Sequence, residues 1–287
     1  MEITFWGTRG SLAVPGVDTV KYGGNTSCVT MRPRSGPLII CDMGTGSFPL
    51  GRQLVRQPEP LDAVVLFSHG HWDHIQGFPF FAPFFRKDTH VRILGDPTPR
   101  HDIYEMLSQQ MGANYFPVTL EALAAKVEMD ATLTAERKVG MEQTIGSAWI
   151  QTFPIRHPGG GRAFRVDDEG RVAIYLTDHE LPGRGPEYNF YVEICQGADL
   201  LIHDAQYTDA ELPDREGWGH SSCEQATRFA MEAGIKRLAL FHHDPGRSDA
   251  EIDLLAGACQ ALARASGSDL EVFGAREGTT FTISNAQ

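Results

Sequence analysis

The chain has 287 residues, 41% of them hydrophobic and 22% charged, the composition of a soluble globular protein with ample material for a core. Its formal net charge of −12 argues against broad binding to nucleic-acid backbones, which takes many Lys and Arg contacts, but leaves room for a small anionic substrate. No run approaches the roughly 18 apolar residues of a membrane helix, the start Met1-Glu2-Ile3-Thr4-Phe5-Trp6 lacks the pattern of a signal peptide, and five scattered cysteines without CxxC spacing fit reduced thiols in a cytoplasmic protein.

Residues 3–6 read as a first strand running into the glycine-rich turn Gly7-Thr8-Arg9-Gly10-Ser11. A second loop, Lys21-Tyr22-Gly23-Gly24-Asn25-Thr26, precedes the next strand. Such turns suit a β-meander or the approach of a substrate equally. Residues 27–31 and 37–41 have a hairpin pattern, and Asp42-Met43-Gly44-Thr45-Gly46 leads into a helix over 50–55. The apolar run 63–67 reads as a buried strand. At its end stands Ser68-His69-Gly70-His71-Trp72-Asp73-His74, with three imidazoles and a carboxylate within six positions. Imidazole nitrogens and carboxylate oxygens suit zinc and other first-row divalent metals, and a loop at a strand end is a common place for a rigid scaffold to present chemistry.

Five Phe in the eight positions 78–85, broken by two Pro, cannot form a regular helix. They are read as core packing under the metal loop, with a pocket wall as the alternative. Residues 91–94 form a further strand, and 101–111 and 120–125 look helical. The stretch 96–139 is read as a helical insertion within a single domain spanning 1–287. Further on, a strand over 148–155 ends at His157-Pro158-Gly159. One over 172–176 ends at Thr177-Asp178-His179-Glu180, one over 200–202 at His203-Asp204-Ala205-Gln206-Tyr207, and one over 238–241 at His242-His243-Asp244. Helices are expected over 223–233, with Gly234 as its stop, and over 249–265, capped by Ser248. Strands over 271–273 and 280–283 close the chain. Strand after strand thus ends in His or Asp, so strands sharing a layer would bring these groups to one edge. The order fits two β-sheets packed face to face with helices outside, a four-layer αββα sandwich, better than a doubly wound parallel sheet.

His69-Gly70-His71-Trp72-Asp73-His74 matches the HxHxDH signature of the metallo-β-lactamase fold, and His157, Asp178 and His242 follow strands in the order that superfamily uses. The likeness covers nearly the whole chain. Within the superfamily the sequence resembles the phosphodiesterase branch that includes ribonuclease Z, PhnP-like cyclic phosphodiesterases and cyclic-nucleotide phosphodiesterases. Gly7-Thr8-Arg9-Gly10, His203-Asp204-Ala205-Gln206-Tyr207 and Gly219-His220-Ser221-Ser222 carry that likeness. The resemblance implies two divalent metal ions, zinc first, with manganese or iron as alternatives. His69, His71 and His157 would hold one, Asp73, His74 and His242 the other, and Asp178 would bridge them. His179 and Glu180 compete with Asp178 for that place, and His243 with His242.

The implied activity is hydrolysis of a small phosphodiester, a cyclic nucleotide among the candidates, by a hydroxide shared between the metals. Asp73 would orient that water or accept its proton, His220 would assist the leaving group, and Asp204 would fix the His220 tautomer. Arg9, Asn25 and His243 are candidates for substrate contact. Tyr207 and Trp218 suit a core role or stacking on a base, and His90 and His101 are read as surface residues. The alternatives are an RNA-processing endonuclease resembling ribonuclease Z, a non-phosphodiester metallo-hydrolase, and a metal-binding regulatory module without activity. The first is disfavoured because the chain has no basic, glycine-rich arm, and the last because the ligand set is intact. A membrane partner is not expected, extended nucleic-acid binding is disfavoured, and a homodimer is compatible with the resemblance.

Overall fold

The structure, a computed structural model, describes residues 1–94, 103–129 and 142–284. The first sheet is built from β1 (Glu2–Gly7), β2 (Cys28–Arg32), β3 (Leu38–Cys41), β4 (Leu61–Leu66), β5 (Thr89–Leu94) and β6 (Lys126–Met129), side by side in that order. The second contains β7 (Glu142–Ile145), β8 (Ala148–Pro154), β9 (Arg162–Asp168), β10 (Arg171–Leu176), β11 (Leu200–Asp204), β12 (Arg237–Phe241) and β13 (Glu271–Gly274). A last strand, β14 (Thr280–Thr282), returns to the first sheet and pairs antiparallel with β1.

Both sheets follow one plan. Antiparallel pairs come first, β1 to β3 and β7 to β10, and parallel pairs follow, β3 to β6 and β10 to β13. Antiparallel neighbours need only short turns, whereas parallel neighbours need crossovers. Helices supply several of these: α1 (Ser47–Leu54) before β4, α2 (Trp72–Ile75) before β5, α3 (Ile103–Gln110) before β6, α4 (Pro186–Cys195) before β11, α5 (Cys223–Glu232) before β12 and α6 (Asp249–Ala265) before β13.

Three apolar cores separate four layers, as the strand pattern predicts. The central one, between the sheets, holds Ile3, Phe5, Val64 and Leu66 from one side and Ile150, Val166, Ile202 and Phe241 from the other. Ala63 and Val65 of β4 point the opposite way, into the core under α1 and α3. This two-sided burial is why 63–67 reads as an unbroken apolar run instead of an alternating one. Leu201, Leu238 and Leu240 face a third core with Phe229 of α5 and Cys259 of α6. All five cysteines are buried and free.

The phenylalanine stretch forms two 3₁₀ turns over Phe78–Phe80 and Ala82–Phe85. Phe78, Phe81 and Phe84 are wholly buried in the outer core of the first sheet, while Phe80 and Phe85 are exposed, so core packing is its main role. Ser248 caps α6 in a reciprocal capping box with Glu251, and Gly234, at φ +63°, ends the α5 segment.

Three expectations differ. Residues 126–129, read as part of a helical insertion, form β6 and extend the sheet beside β5. The helix expected over 120–125 is a short 3₁₀ turn, Leu120–Ala122. The expected elements do not include β7, β9 or α4. The α4 sequence Pro-Glu-Tyr-Asn-Phe-Tyr-Val-Glu-Ile-Cys is rich in aromatic and β-branched residues that carry little helix propensity, and packing against the second sheet overrides this. His101 lies outside the described residues, and His90 bonds to Glu128 at 2.7 Å. No helix among the described residues is long and apolar enough to cross a membrane.

Candidate metal centre

The functional groups collect at the C-terminal ends of the strands, where loops are free to turn side chains inward. His69 follows β4, and the single turn of α2 places Asp73 and His74 one after the other behind it. His157 follows β8, Asp178 follows β10, Asp204 ends β11 and His242 follows β12. Asp42, Asp178 and His242 take φ values of +58°, +52° and +58°. A left-handed backbone is uncommon outside glycine, and here it marks the residue at which each chain leaves its strand toward the centre.

Among the described residues three close donor groups result, two of them from the expected ligands and a third from Asp178, Asp204, His220 and His242. In the first, His69 Nε2 lies 3.0 Å and His157 Nε2 2.9 Å from His71 Nδ1, with Asp178 Oδ1 3.8 Å from both Nε2 atoms. In the second, His74 Nε2 lies 3.2 Å from Asp73 Oδ2 and from Asp178 Oδ2. His242 Nε2 lies 3.1 Å and 3.3 Å from the same two oxygens. Asp178 therefore turns one oxygen to each cluster. Four ligands around a tetrahedral zinc sit about 3.3–3.6 Å apart, and the second cluster is close to that spacing. His74 Nε2 is fully buried and has no hydrogen-bond partner among the described residues, although carboxylate oxygens stand on two sides of it. A cation shared between these atoms satisfies all of them, so the residues present fit a divalent metal.

The far sides of four of these five imidazoles are also fixed. His74 Nδ1 lies 2.7 Å from Asp42 Oδ2, and His242 Nδ1 3.0 Å from Gln206 Oε1. His157 Nδ1 lies 3.0 Å from the Gly219 carbonyl, and His69 Nδ1 3.0 Å from Ser68 Oγ, which donates to Asp42. Each contact holds the proton on Nδ1 and leaves the Nε2 lone pair facing its cluster. Asp42 is wholly buried and also accepts from Tyr175 Oη and the Ser68 N–H. Ser11 N–H donates to Asp73 Oδ2 at 2.8 Å.

Electrostatics agree with the geometry. Burial, reinforced by neighbouring His74, pushes His69 well below its ordinary pKa, and burial also lowers His71 and His157, so all three are neutral donors. Burial opposes charge on Asp73 and Asp178, yet the surrounding imidazoles hold both well below the usual carboxylate range. For His74 burial is outweighed by Asp73, Asp178 and Asp42, which raise it well above its ordinary value. Positive charge is thus favoured where those carboxylates converge.

Beside both clusters stands His220, its ring centroid 5.2 Å from those of His157 and His242. Its Nδ1 lies 2.6 Å from Asp204 Oδ2. Burial alone would lower its pKa, but Asp204 more than reverses this and lifts it to about 9.

The three candidates for substrate contact are turned elsewhere. The Arg9 guanidinium is buried and donates to the Gly23, Asp244 and Arg247 carbonyls. Asn25 donates through its main chain and side chain to Glu277, and His243 Nε2 donates to the Ala275 carbonyl. These contacts hold Arg9 Nε and Nη1, Asn25 and His243 Nε2 within the protein, while Arg9 Nη2 has no hydrogen-bond partner among the described residues. In the same turn, however, Gly10 matters: a Cβ there would come within 2.4 Å of the His242 ring. Of the competitors left open, His179 faces Tyr191, with ring centroids 4.3 Å apart, and Glu180 bonds to the 217–219 loop, so Asp178 alone reaches the clusters. Tyr207 is buried edge-on to His220, whereas Trp218 is 56% exposed under the Arg215 guanidinium. Asp42 and Gln206 carried no assigned role in the sequence. The signal available for Asp42 was its place directly after a buried strand, as for Asp178.

Comparison with known proteins bears on this geometry. The sequence model of the family described as "Beta-lactamase superfamily domain" matches residues 39–243, from β3 through the second histidine after β12. The chain belongs to the beta-lactamase superfamily. Among superfamily proteins it is 27% identical to ribonuclease Z of Halobacterium salinarum, over 99% of this chain and 97% of that one. It also shares its fold with the metallo-beta-lactamase fold protein YhfI from Bacillus subtilis, at a TM-score of 0.70 and 19% identity over 98% of each chain. A diphosphatase from the PhnP family shares the fold at a TM-score of 0.66 and 17% identity, over 99% of this chain and 98% of that one. The superfamily and the buried donor clusters together support binding of divalent metal.

Proposed function

We propose that the protein is a dinuclear metal-dependent phosphodiesterase acting on a small diester, with cyclic nucleotides as the first candidates. The observation that carries this reading is His220, held by Asp204 and placed against one ligand candidate from each cluster. A diester needs a proton, or a hydrogen bond, for its departing alkoxide. His220, hydrogen-bonded to Asp204 beside both clusters, is placed to supply it.

His69, His71 and His157 would hold one cation and Asp73, His74 and His242 the other, with Asp178 within reach of both sets. Zinc suits these nitrogen and oxygen donors, and so do manganese and iron. Bound there, the two cations supply Lewis-acid charge for the phosphoryl oxygens and lower the pKa of an attacking water. Asp73, fixed by the Ser11 N–H, accepts or orients the proton of that water. His220 donates to the leaving oxygen through Nε2 while Asp204 balances the charge on its ring.

Ribonuclease Z of Halobacterium salinarum, similar over nearly the full length, favours RNA processing as a second reading. The net charge of −12 weighs against it, because a structured RNA is held mainly through its phosphates. The test is to load the protein with zinc or manganese, verify the metal content, and assay bis-p-nitrophenyl phosphate, a panel of cyclic nucleotides and a structured transfer-RNA precursor side by side. Turnover of the small diesters supports the proposal. Cleavage of the RNA alone transfers the assignment to RNA processing, and no turnover of any diester ends it.

A further inference from the structure

The segment from Asp178 to Leu181 runs between the loop that carries His157 and the loop that carries His220, and it bonds to both. Toward the first loop, Arg156 N–H donates to His179 Nδ1 at 3.0 Å and Glu180 N–H to the Arg156 carbonyl at 3.0 Å. Toward the second, Ser221 Oγ donates to the His179 carbonyl at 2.6 Å and accepts from Leu181 N–H at 3.1 Å. The Glu180 side chain completes the contact: one oxygen, Oε2, accepts the N–H groups of Gly217 at 2.9 Å and Gly219 at 3.0 Å.

Gly217 and Gly219 have φ values of +80° and +85°. Two glycines just before His220 leave that backbone with no stiffness of its own. Gly219 has no room for a side chain, since a Cβ would lie 2.2 Å from His157 Nδ1. The loop must therefore be held from outside. On the C-terminal side of His220 the Ser221 hydroxyl does this, and on the N-terminal side two hydrogen bonds to a carboxylate do, of the kind that are shorter and stronger than neutral ones.

We propose that Glu180 is a positioning residue for the reaction: its carboxylate clamps residues 217–219 so that the His220 imidazole faces both donor clusters. The kinetic part rests on the diesterase reading of His220, whereas the clamp is a property of the chain itself. Glu180 touches no donor cluster, which separates its role from that of its neighbour Asp178.

The test uses the full chain, with Glu180→Ala and Glu180→Gln compared with the parent. Amide hydrogen exchange of the metal-free proteins comes first. Exchange at Gly217 and Gly219 rises about tenfold or more in Glu180→Ala, as expected for the loss of two hydrogen bonds to a charged acceptor, and stays near the parent rate in Glu180→Gln, which keeps an acceptor oxygen. Kinetics of the metal-loaded proteins follow. For a cyclic nucleotide, whose leaving group is a ribose alkoxide, kcat of Glu180→Ala falls about 10- to 100-fold with little change in KM. For bis-p-nitrophenyl phosphate, whose leaving group needs little acid assistance, it falls less than about threefold. In a His220→Ala background Glu180→Ala causes no further loss. Unchanged exchange, equal losses on the two substrates, or losses that add to His220→Ala each overturn the proposal. A parent protein inert toward every diester ends the diesterase reading, and the exchange measurement then decides the clamp alone.

Discussion

His220 Nδ1 and Asp204 Oδ2 stand 2.6 Å apart, and both side chains are withdrawn from solvent. An imidazole held in this way has its Nδ1 side fixed on the carboxylate, with its ring beside those of His157 and His242. Replacing His220 by Ala is expected to lower kcat on a cyclic nucleotide by about 10²- to 10⁴-fold while metal content stays at the parent value. Asp204→Asn keeps the shape but removes the charge that lifts His220 to about 9. His220 serves as an acid only while protonated, so activity declines as pH rises through its pKa. The declining limb of the kcat–pH profile therefore moves to lower pH in Asp204→Asn, and an unmoved limb excludes His220 as the acid.

Among the described residues Asp178 is the one side chain that meets both donor sets, with Oδ1 3.8 Å from His69 Nε2 and Oδ2 3.2 Å from His74 Nε2. Asp178→Ala is expected to cost at least one equivalent of bound metal, measured by elemental analysis after dialysis, and to abolish diester hydrolysis. His71→Ala changes only the more open first cluster and retains the other metal. Retention of the parent's full metal content in Asp178→Ala contradicts a bridging role.

Asp42 reaches neither cluster directly, yet it orients His74 and, through Ser68, His69. Asp42→Ala is expected to weaken metal affinity about 10- to 100-fold in competition with a chelator, with activity recovered at saturating metal. Tyr175→Phe removes one of the four hydrogen bonds to that carboxylate and has a smaller effect in the same direction.

Gly10 lies against the His242 ring, where a methyl group would come within 2.4 Å. Gly10→Ala is expected to fold, because its own φ needs no glycine, but to bind the second metal more weakly than the parent. The readouts are the thermal midpoint of the metal-free protein, which changes little, and the metal titration, which shifts.

The fold was legible because its central strands are buried on both faces and end in polar turns. Residues 63–67, 200–202 and 238–241 carry that signature, and each runs directly into His69, Asp204 or His242. Legibility declined where local pattern and tertiary demand disagree. The α4 sequence looks more like a strand than a helix, and Lys126–Met129 acquires its strand conformation only by pairing with β5. The donors announce themselves in the sequence by residue type and spacing. Their supports do not: Asp42, Gln206 and Glu180 act through distant partners, His74, His242 and Gly219, that only the folded chain brings close. Arg9 and Asn25, read in the sequence as candidates for substrate contact, bond within the fold to Gly23, Asp244 and Glu277, partners that a glycine turn does not reveal.

The two clusters built from the expected ligands draw on both sheets: His69 and His71 meet His157, and Asp73 and His74 meet His242 across Asp178, whereas the group Asp178, Asp204, His220 and His242 comes from the second sheet's half alone. Neither half of the chain folded alone presents either of those two sets. A cation that demands three or four donors at once therefore distinguishes a docked sandwich from two separately formed sheets. Metal would enter late in folding and act as a latch on finished architecture instead of a seed for it, so metal uptake during refolding should follow the slowest sheet-docking phase.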